Sequence, residues 1–464
     1  MNEAKHKIGI FEKLGFLSFS VATNVLVSFK SNYYKYFLTS ILLINPIAAS
    51  NVVLIGTIWD IVNDPLVGVW AGNVRFKSGE KVRPWVLLSA FPVALGIILI
   101  FTDFHVSERW DIILAIVCFF FYELANTFRS IPSNGLGTLV SGDDEERKVV
   151  NSFKSLGVGL GAGIGGICIP FVIKMFGGLK DHSVINSSDS LAIFKTAVVV
   201  GVIMFVGSLI HYFTTKERIK EETVKEDRIG FIETYKMLFS CKSWVINMFY
   251  IMTYGIATAL DTSAAVYFCS YVMNNSSLIA VIMGSYLLFT IIGSAIMPKI
   301  DKMLGRKKTM IFAALIQLVG KIPILINPYS IINNIINVAF AGIGLAAVFI
   351  IFHTNRNTIS DIIALKNGRR LDTMVSTADN LASKIAEAFV DKLFLVSLAA
   401  AGFSAELSEQ GLMQNQATQN VIIAMLGWVS CVAIIVMALI SLVLDVQKEY
   451  RDVVADNSDN NLSQ

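Results

Sequence analysis

Long apolar runs constrain this chain more than any other feature. Stretches of about twenty residues with few charges recur along its 464 residues. A run of that length is what a helix needs to cross the hydrocarbon core of a bilayer. Apolar residues make up 54% of the chain and charged residues 16%, against roughly 25% charged in soluble domains. Mean hydropathy is +0.63. At about twenty apolar residues per span, this supply builds about twelve helices. A soluble enzyme and a disordered chain are excluded. The net charge of +3 implies no bulk attraction to polyanions, so no nucleic-acid partner is expected. Cys118, Cys168, Cys241, Cys269 and Cys431 lie far apart with no CxxC spacing, which gives no support to a disulfide framework or a zinc site. The first ten residues are polar and no secretory signal is read there, so the first hydrophobic helix is expected to start insertion and remain.

Twelve spans are expected at about 14–43, 47–72, 84–102, 111–138, 152–176, 190–213, 244–272, 277–298, 309–327, 329–360, 374–401 and 418–445. The runs are too long for barrel strands and lack alternation, so they read as helices. Trp85, Trp110 and Trp244 fall at span ends, where interfacial aromatics belong. With the N-terminus placed in the cytoplasm, 28 of the 38 Lys and Arg residues fall in inside segments. Only Arg109 and Lys180 lie in outside loops, so both termini are expected to be cytoplasmic. The expected organisation is a first six-helix bundle over 1–213 and a cytoplasmic central loop over 214–243. A second bundle over 244–445 and a polar, disordered cytoplasmic tail over 446–464 follow. Short basic turns at 68–84 and 298–308 sit at equivalent places in the two halves, as in a parallel six-plus-six repeat.

Charges inside spans are costly and mark functional positions. The densest group is in span two, Trp59-Asp60-Ile61-Val62-Asn63-Asp64-Pro65-Leu66-Val67-Gly68. Asp60, Asn63 and Asp64 share one helix face. Two carboxylates side by side in low dielectric require a proton or a bound cation, which is what a Na⁺ or H⁺ coupling site needs. Pairing with a base from another helix is the alternative. Span five carries Gly157, Gly159, Gly161, Gly163, Gly165 and Gly166. Without a preceding strand this is no nucleotide loop, and 157, 161 and 165 read as a face for close helix packing. His6, His105, His182 and His211 are scattered and are expected at the surface or membrane interface.

The span-two string, followed by a basic turn and Arg83-Pro84-Trp85, closely resembles the melibiose-permease-like glycoside–pentoside–hexuronide:cation symporters of the major facilitator superfamily. Looser similarity runs through Thr127-Phe128-Arg129-Ser130-Ile131-Pro132, through Tyr267 to Val272 and from Arg370 to Phe389. The resemblance implies an all-α integral membrane fold, twelve transmembrane helices in two six-helix bundles, working as a monomer by alternating access. It implies a coupling cation held by Asp60, Asn63, Asp64 and Thr127, with Asp60 and Asp64 as the carboxylate ligands if the ion is Na⁺. Lys384 matches a family lysine close to that site. Lys154, or its neighbour Ser155, falls where the family has a sugar-site arginine.

The departures bear on the substrate. Where sugar permeases carry aspartates in spans one and four, this chain has Asn24 and Ser130, and a sugar-packing tryptophan is replaced by Asn134. A conserved acidic string after span ten is reduced to a segment ending Gly368-Arg369-Arg370. Lys30, Lys35, Arg129, His353, Arg356 and Lys384 stand in spans. Two readings stay open. These bases complement an acidic substrate, with Lys30, Arg129, Arg356 and Lys384 joining Asn24, Ser130, Asn134 and Lys154 at the site. Alternatively they pair internally with Glu123, Asp261, Glu387 and Asp391, Lys35 snorkelling outward. Span eleven shows such a polar stripe at Thr377, Asn380, Lys384, Glu387 and Asp391. The expected function is cation-coupled symport of a sugar or sugar derivative across the cell membrane, with no cofactor beyond the coupling ion and no catalytic residue. A lysolipid or other small solute is the alternative cargo. A non-transporting sensor would need a larger output domain than the central loop and tail supply.

Overall fold

The computed structural model describes residues 7–74, 76–80, 82–104, 106–141, 144–178, 187–218, 236–368, 372–409 and 412–462. Expectations for His6, His105, Lys180, His182, Arg369, Arg370 and most of the central loop, and for the side chains of Asn134, His353 and Thr377, lie outside the described residues. The helices are α1 (Ile10–Tyr36), α2 (Pro46–Asn73), α3 (Arg83–Ile100), α4 (Glu108–Leu139), α5 (Asp144–Met175), α6 (Ser187–Thr214), α7 (Lys242–Tyr267), α8 (Leu278–Leu304), α9 (Arg306–Ile326), α10 (Ile331–Asn367), α11 (Asp372–Ala400), α12 (Ala405–Glu409), α13 (Gln416–Ala424, continuing through Met425–Val429 into Ser430–Val443) and α14 (Val446–Leu462). The expected spans reappear as α1 to α11 and α13. Among the described residues, eleven helices are long and apolar enough to cross a membrane. The twelfth span, α11, has the length but carries Asp379, Lys384, Glu387, Asp391 and Lys392.

Local chemistry sets several boundaries. Asn45 accepts a hydrogen bond from the Ile47 amide and Pro46 opens α2, a standard helix start. Ser330 caps α10 through the Asn333 amide, and Gly368 ends it at φ +71°.

The chain divides into two compact units. The first comprises Met1–Val224, Ala265–Met283 and Lys392–Val421. In it α1 packs on α5 and α6, α3 on α4 and α6, and α2 on α4. The glycine face of α5 works as expected. A Cβ at Gly157 or Gly161 would stand 2.6 Å or 2.4 Å from the backbone oxygen of Leu17 or Val21 on α1, whereas Gly159 faces open space. The second unit comprises Lys225–Ala264, Gly284–Asp391 and Ile422–Gln464. There α9 packs on α10 and α13, and α10 packs on α14.

A repeat signature appears at the ends of α1 and α7. Each continues into a π turn, Phe37–Ile41 and Phe268–Val272. Each turn is followed by a non-glycine residue at positive φ, Leu43 at 57° and Asn274 at 50°. The two motifs touch within the first unit. Tyr271 Oη donates to Ser40 Oγ at 2.7 Å, across a sequence separation of 231 residues that also relates the two π turns. Thr39 Oγ1 and Tyr267 Oη lie 2.6 Å apart.

Three expectations are corrected. The tail is the helix α14, because Val446 and Val453 bury into the second unit's core. Its Glu449 also accepts the Ser243 amide at the start of α7 (2.8 Å) and pairs with Lys366 (2.6 Å). Trp85 and Trp244 are buried while Trp110 is exposed. Trp85 stacks with Phe128 and meets Trp70 and Phe76, so only Trp110 has the exposure of an interfacial aromatic. Lys35 and His211 are buried, which removes the snorkelling reading for the first and the surface reading for the second.

Candidate functional site

Two helices build the oxygen cluster. α2 brings Asp60, Asn63 and Asp64 onto the face that meets α4, and α4 answers with Thr127. Asn63 Nδ2 donates to Thr127 Oγ1 at 2.7 Å. Thr127 Oγ1 in turn donates to Asp64 Oδ1 at 3.1 Å. Asn63 and Thr127 are buried, whereas Asp60 and Asp64 stay partly accessible. The buried pair fixes the helix register, and the accessible carboxylates face the direction from which an ion could arrive. Among the described residues no group of three or more His, Cys, Asp or Glu is arranged for a metal. The mixed carboxylate, amide and hydroxyl set has the hard-oxygen character that suits an alkali cation or a proton better than a transition metal.

Lys30 of α1 borders this cluster. It pairs with Glu123 of α4, and its ammonium lies 4.9 Å and 5.2 Å from the ring centres of Phe119 and Tyr122. Its charge is therefore neutralised internally. Arg356 of α10 is likewise taken by Asp379 of α11, Nε to Oδ2 at 2.8 Å. Asp379 is a residue that sequence reasoning missed. The expected stripe ran along the neighbouring face of α11, where Asn380 and Glu387 are exposed and Lys384 is half-buried. Asp391 of that stripe is buried and accepts from Ser263 at 2.9 Å.

Arg129 behaves differently. It is fully buried and donates only to neutral oxygens, Thr23 Oγ1 at 2.9 Å and Asn126 Oδ1 at 3.0 Å. Its Nε has no partner, and its guanidinium lies 4.6 Å from the Phe19 ring. Lys154 of α5 sits 5.1 Å from the Phe16 ring. His211 of α6 wedges between Phe16 and Phe19 at 4.8 Å and 4.7 Å, with Ser133 Oγ 3.4 Å from its Nε2. Among the described residues no carboxylate pairs with Arg129 or Lys154. Buried charges are normally paired, so the buried Arg129 lacks a counter-anion among the described residues, with Lys154 half-buried nearby. Ser130 is half-buried beside it, and Asn24 uses its amide on the Ser20 carbonyl of its own helix (2.9 Å). His211 was not recognised from sequence, since a histidine near a span end looks the same whether it turns inward or outward.

The profile of the MFS/sugar transport protein family matches residues 15–447. The chain belongs to the MFS/sugar transport protein family. The isoprimeverose transporter of Lactiplantibacillus pentosus is 24% identical over 97% of this chain and 92% of its own length. The inner membrane symporter YicJ of Escherichia coli is 23% identical over 94% of this chain and 91% of its own. A solved bacterial homologue of the human lysosomal transporter Spinster superposes with a TM-score of 0.67 at 11% identity, covering 96% of this chain and 98% of that one. This last likeness is one of fold, shared over nearly the whole of both chains.

Proposed function

We propose that this MFS/sugar transport protein is a cation-coupled symporter of a sugar derivative that carries an acidic group. The observation that carries the coupling is the chain Asn63–Thr127–Asp64, with Asp60 one helical turn away. It holds two carboxylates, an amide and a hydroxyl where an ion or proton can settle their charge. A sugar-transporting relative and a symporting relative, each aligned over most of the chain, support the class of cargo and the mode. The acidic group is supported by Arg129 and Lys154, which have no carboxylate partner among the described residues, while Lys30 and Arg356 do.

Cation binding favours a state that binds substrate, and by linkage substrate raises cation affinity equally. The protein works by alternating access as a monomer in the cell membrane, with cytoplasmic termini, needing no cofactor besides the coupling ion. The test is uptake into proteoliposomes of labelled methyl-glucuronide beside methyl-glucoside, under an inward Na⁺ gradient, an inward H⁺ gradient, or neither. Accumulation of the glucuronide under one gradient, lost in Asp60→Asn and Asp64→Asn, is the expected result. Concentrative uptake that survives both substitutions overturns the coupling assignment.

A further inference from the structure

A second charged pair lies inside the hydrophobic part of the other unit. Lys321 of α9 is almost fully buried, and its Nζ donates to Asp261 Oδ1 of α7 at 2.7 Å and to the Leu426 carbonyl at 3.0 Å. Leu426 belongs to the π turn Met425–Val429 within α13. A π turn leaves a backbone carbonyl without its usual intrahelical partner, and the lysine supplies one. Lys321 is thus anchored from two sides. Asp261 is not, because its side chain keeps about a quarter of its exposure. A carboxylate has about four acceptor positions, and Lys321 is the partner at one oxygen.

The exposed side of Asp261 has company. Tyr254, Thr258 and Asp261 recur at helical spacing, all partly accessible. Ala257, Leu260 and Ala264 bury the adjacent face of α7. A charged oxygen inside a span is too costly to face lipid, so this stripe faces protein or water. An ion pair of this kind also adds little stability over well-packed apolar residues, which leaves its presence unexplained by folding alone.

We infer that Asp261, oriented by Lys321, is a cargo-binding residue that accepts hydrogen bonds from the hydroxyls of a sugar, with Tyr254 as the neighbouring aromatic surface. The inference rests on the sugar-transport reading and adds a specificity-determining residue to it. A carboxylate with an adjacent ring matches the chemistry of a sugar, which offers vicinal hydroxyl donors on one edge and an apolar C–H face.

The test uses the full-length protein in proteoliposomes. Equilibrium exchange of labelled methyl-glucoside, methyl-xyloside and methyl-glucuronide is measured for the wild type, Asp261→Asn, Lys321→Met and the double variant. Thermal unfolding with and without Na⁺ is followed in parallel. Each single variant should unfold at lower temperature, because it leaves one buried charge alone. The double variant should regain the wild-type unfolding temperature. Its exchange should nevertheless remain about 10- to 100-fold weaker in apparent affinity, the loss expected for hydrogen bonds to a charged acceptor. If the double variant recovers exchange together with stability, the pair is structural and the inference is overturned. If the wild type exchanges none of the three sugars, the sugar-transport reading itself fails and this one with it. Should the double variant not assemble, Asp261→Glu keeps the ion pair and moves the carboxylate by one methylene. A changed ranking of the three sugars then supports the inference, and an unchanged ranking and affinity overturns it.

Discussion

Thr127 is the hinge of the oxygen cluster, since its hydroxyl both receives from Asn63 and donates to Asp64. Thr127→Val removes that hydroxyl with little change of volume. An unsatisfied buried partner costs about 1–3 kcal/mol, so protection of the purified protein against thermal unfolding by its coupling cation should need about a tenfold higher concentration of that cation. Thr127→Ser should behave as wild type. Arg129 makes the opposite kind of prediction. Its guanidinium is buried among Thr23, Asn126 and Phe19, with no carboxylate partner among the described residues. Arg129→Gln should therefore weaken uptake of methyl-glucuronide about tenfold or more while changing methyl-glucoside uptake little. Equal losses for both sugars would assign Arg129 to packing alone. Neither prediction extends to Lys30 or Arg356, whose charges Glu123 and Asp379 already balance.

At the level of elements, α14 shows how a polar segment gains structure from its neighbours. Its composition is that of a solvated tail, yet Val446 and Val453 sit one heptad apart and both bury. Cys241 lies under this helix, just before the start of α7 at Lys242. Burial is the main reason its thiol is pushed up to about 11, so very little thiolate exists at pH 8. Truncation after Asp445 should expose Cys241 and raise its rate of alkylation by iodoacetamide at pH 8 about tenfold or more, followed by peptide mass. An unchanged rate would mean that α14 does not cover it. The contact of α1 with α5 follows a simpler rule. It depends on residues without a Cβ at 157 and 161, and that spacing is visible in the sequence alone.

For the whole molecule, the informative feature is that repeat-equivalent positions meet. Ser40 and Tyr271 occupy corresponding places in the two π turns and are hydrogen-bonded, and Tyr271 also lies 3.1 Å from Ser408. Positive φ at Leu43 and Asn274 is an uncommon conformation for non-glycine residues and marks strain beside these turns. Such a hydroxyl latch stabilises the arrangement in which it forms and must break in any arrangement that separates these ends. Tyr271→Phe should therefore shift the population away from it. In a Ser40→Cys background, the added Tyr271→Phe change should raise labelling by a membrane-impermeant thiol reagent several-fold. Ser40 is fully buried here, so labelling that stays absent in the pair of substitutions would show that the latch carries no share of this balance.

Sequence alone determined the features set by local physics. Bilayer thickness makes span length a direct count of apolar residues, so twelve spans could be placed, most ends within about four residues and the rest within about eight. A helix repeat of 3.6 puts Asp60, Asn63 and Asp64 on one face whatever surrounds them, and the glycine spacing of α5 is equally local. Tertiary structure decided everything that depends on a partner from elsewhere in the chain. Lys30, Arg129, Arg356 and Lys321 are alike in sequence as single bases within apolar helices. What separates them is whether Glu123, Asp379 or Asp261 arrives from another helix, as for three of them, or none of the described residues does, as for Arg129. The same holds for His211, Trp85 and Trp244, whose inward orientation depends on neighbouring rings, and for α14, whose helix is held by a core assembled from distant segments. Helical periodicity specifies a face, but the energy of a charge on that face depends on what packs against it, and that is a property of the assembled fold.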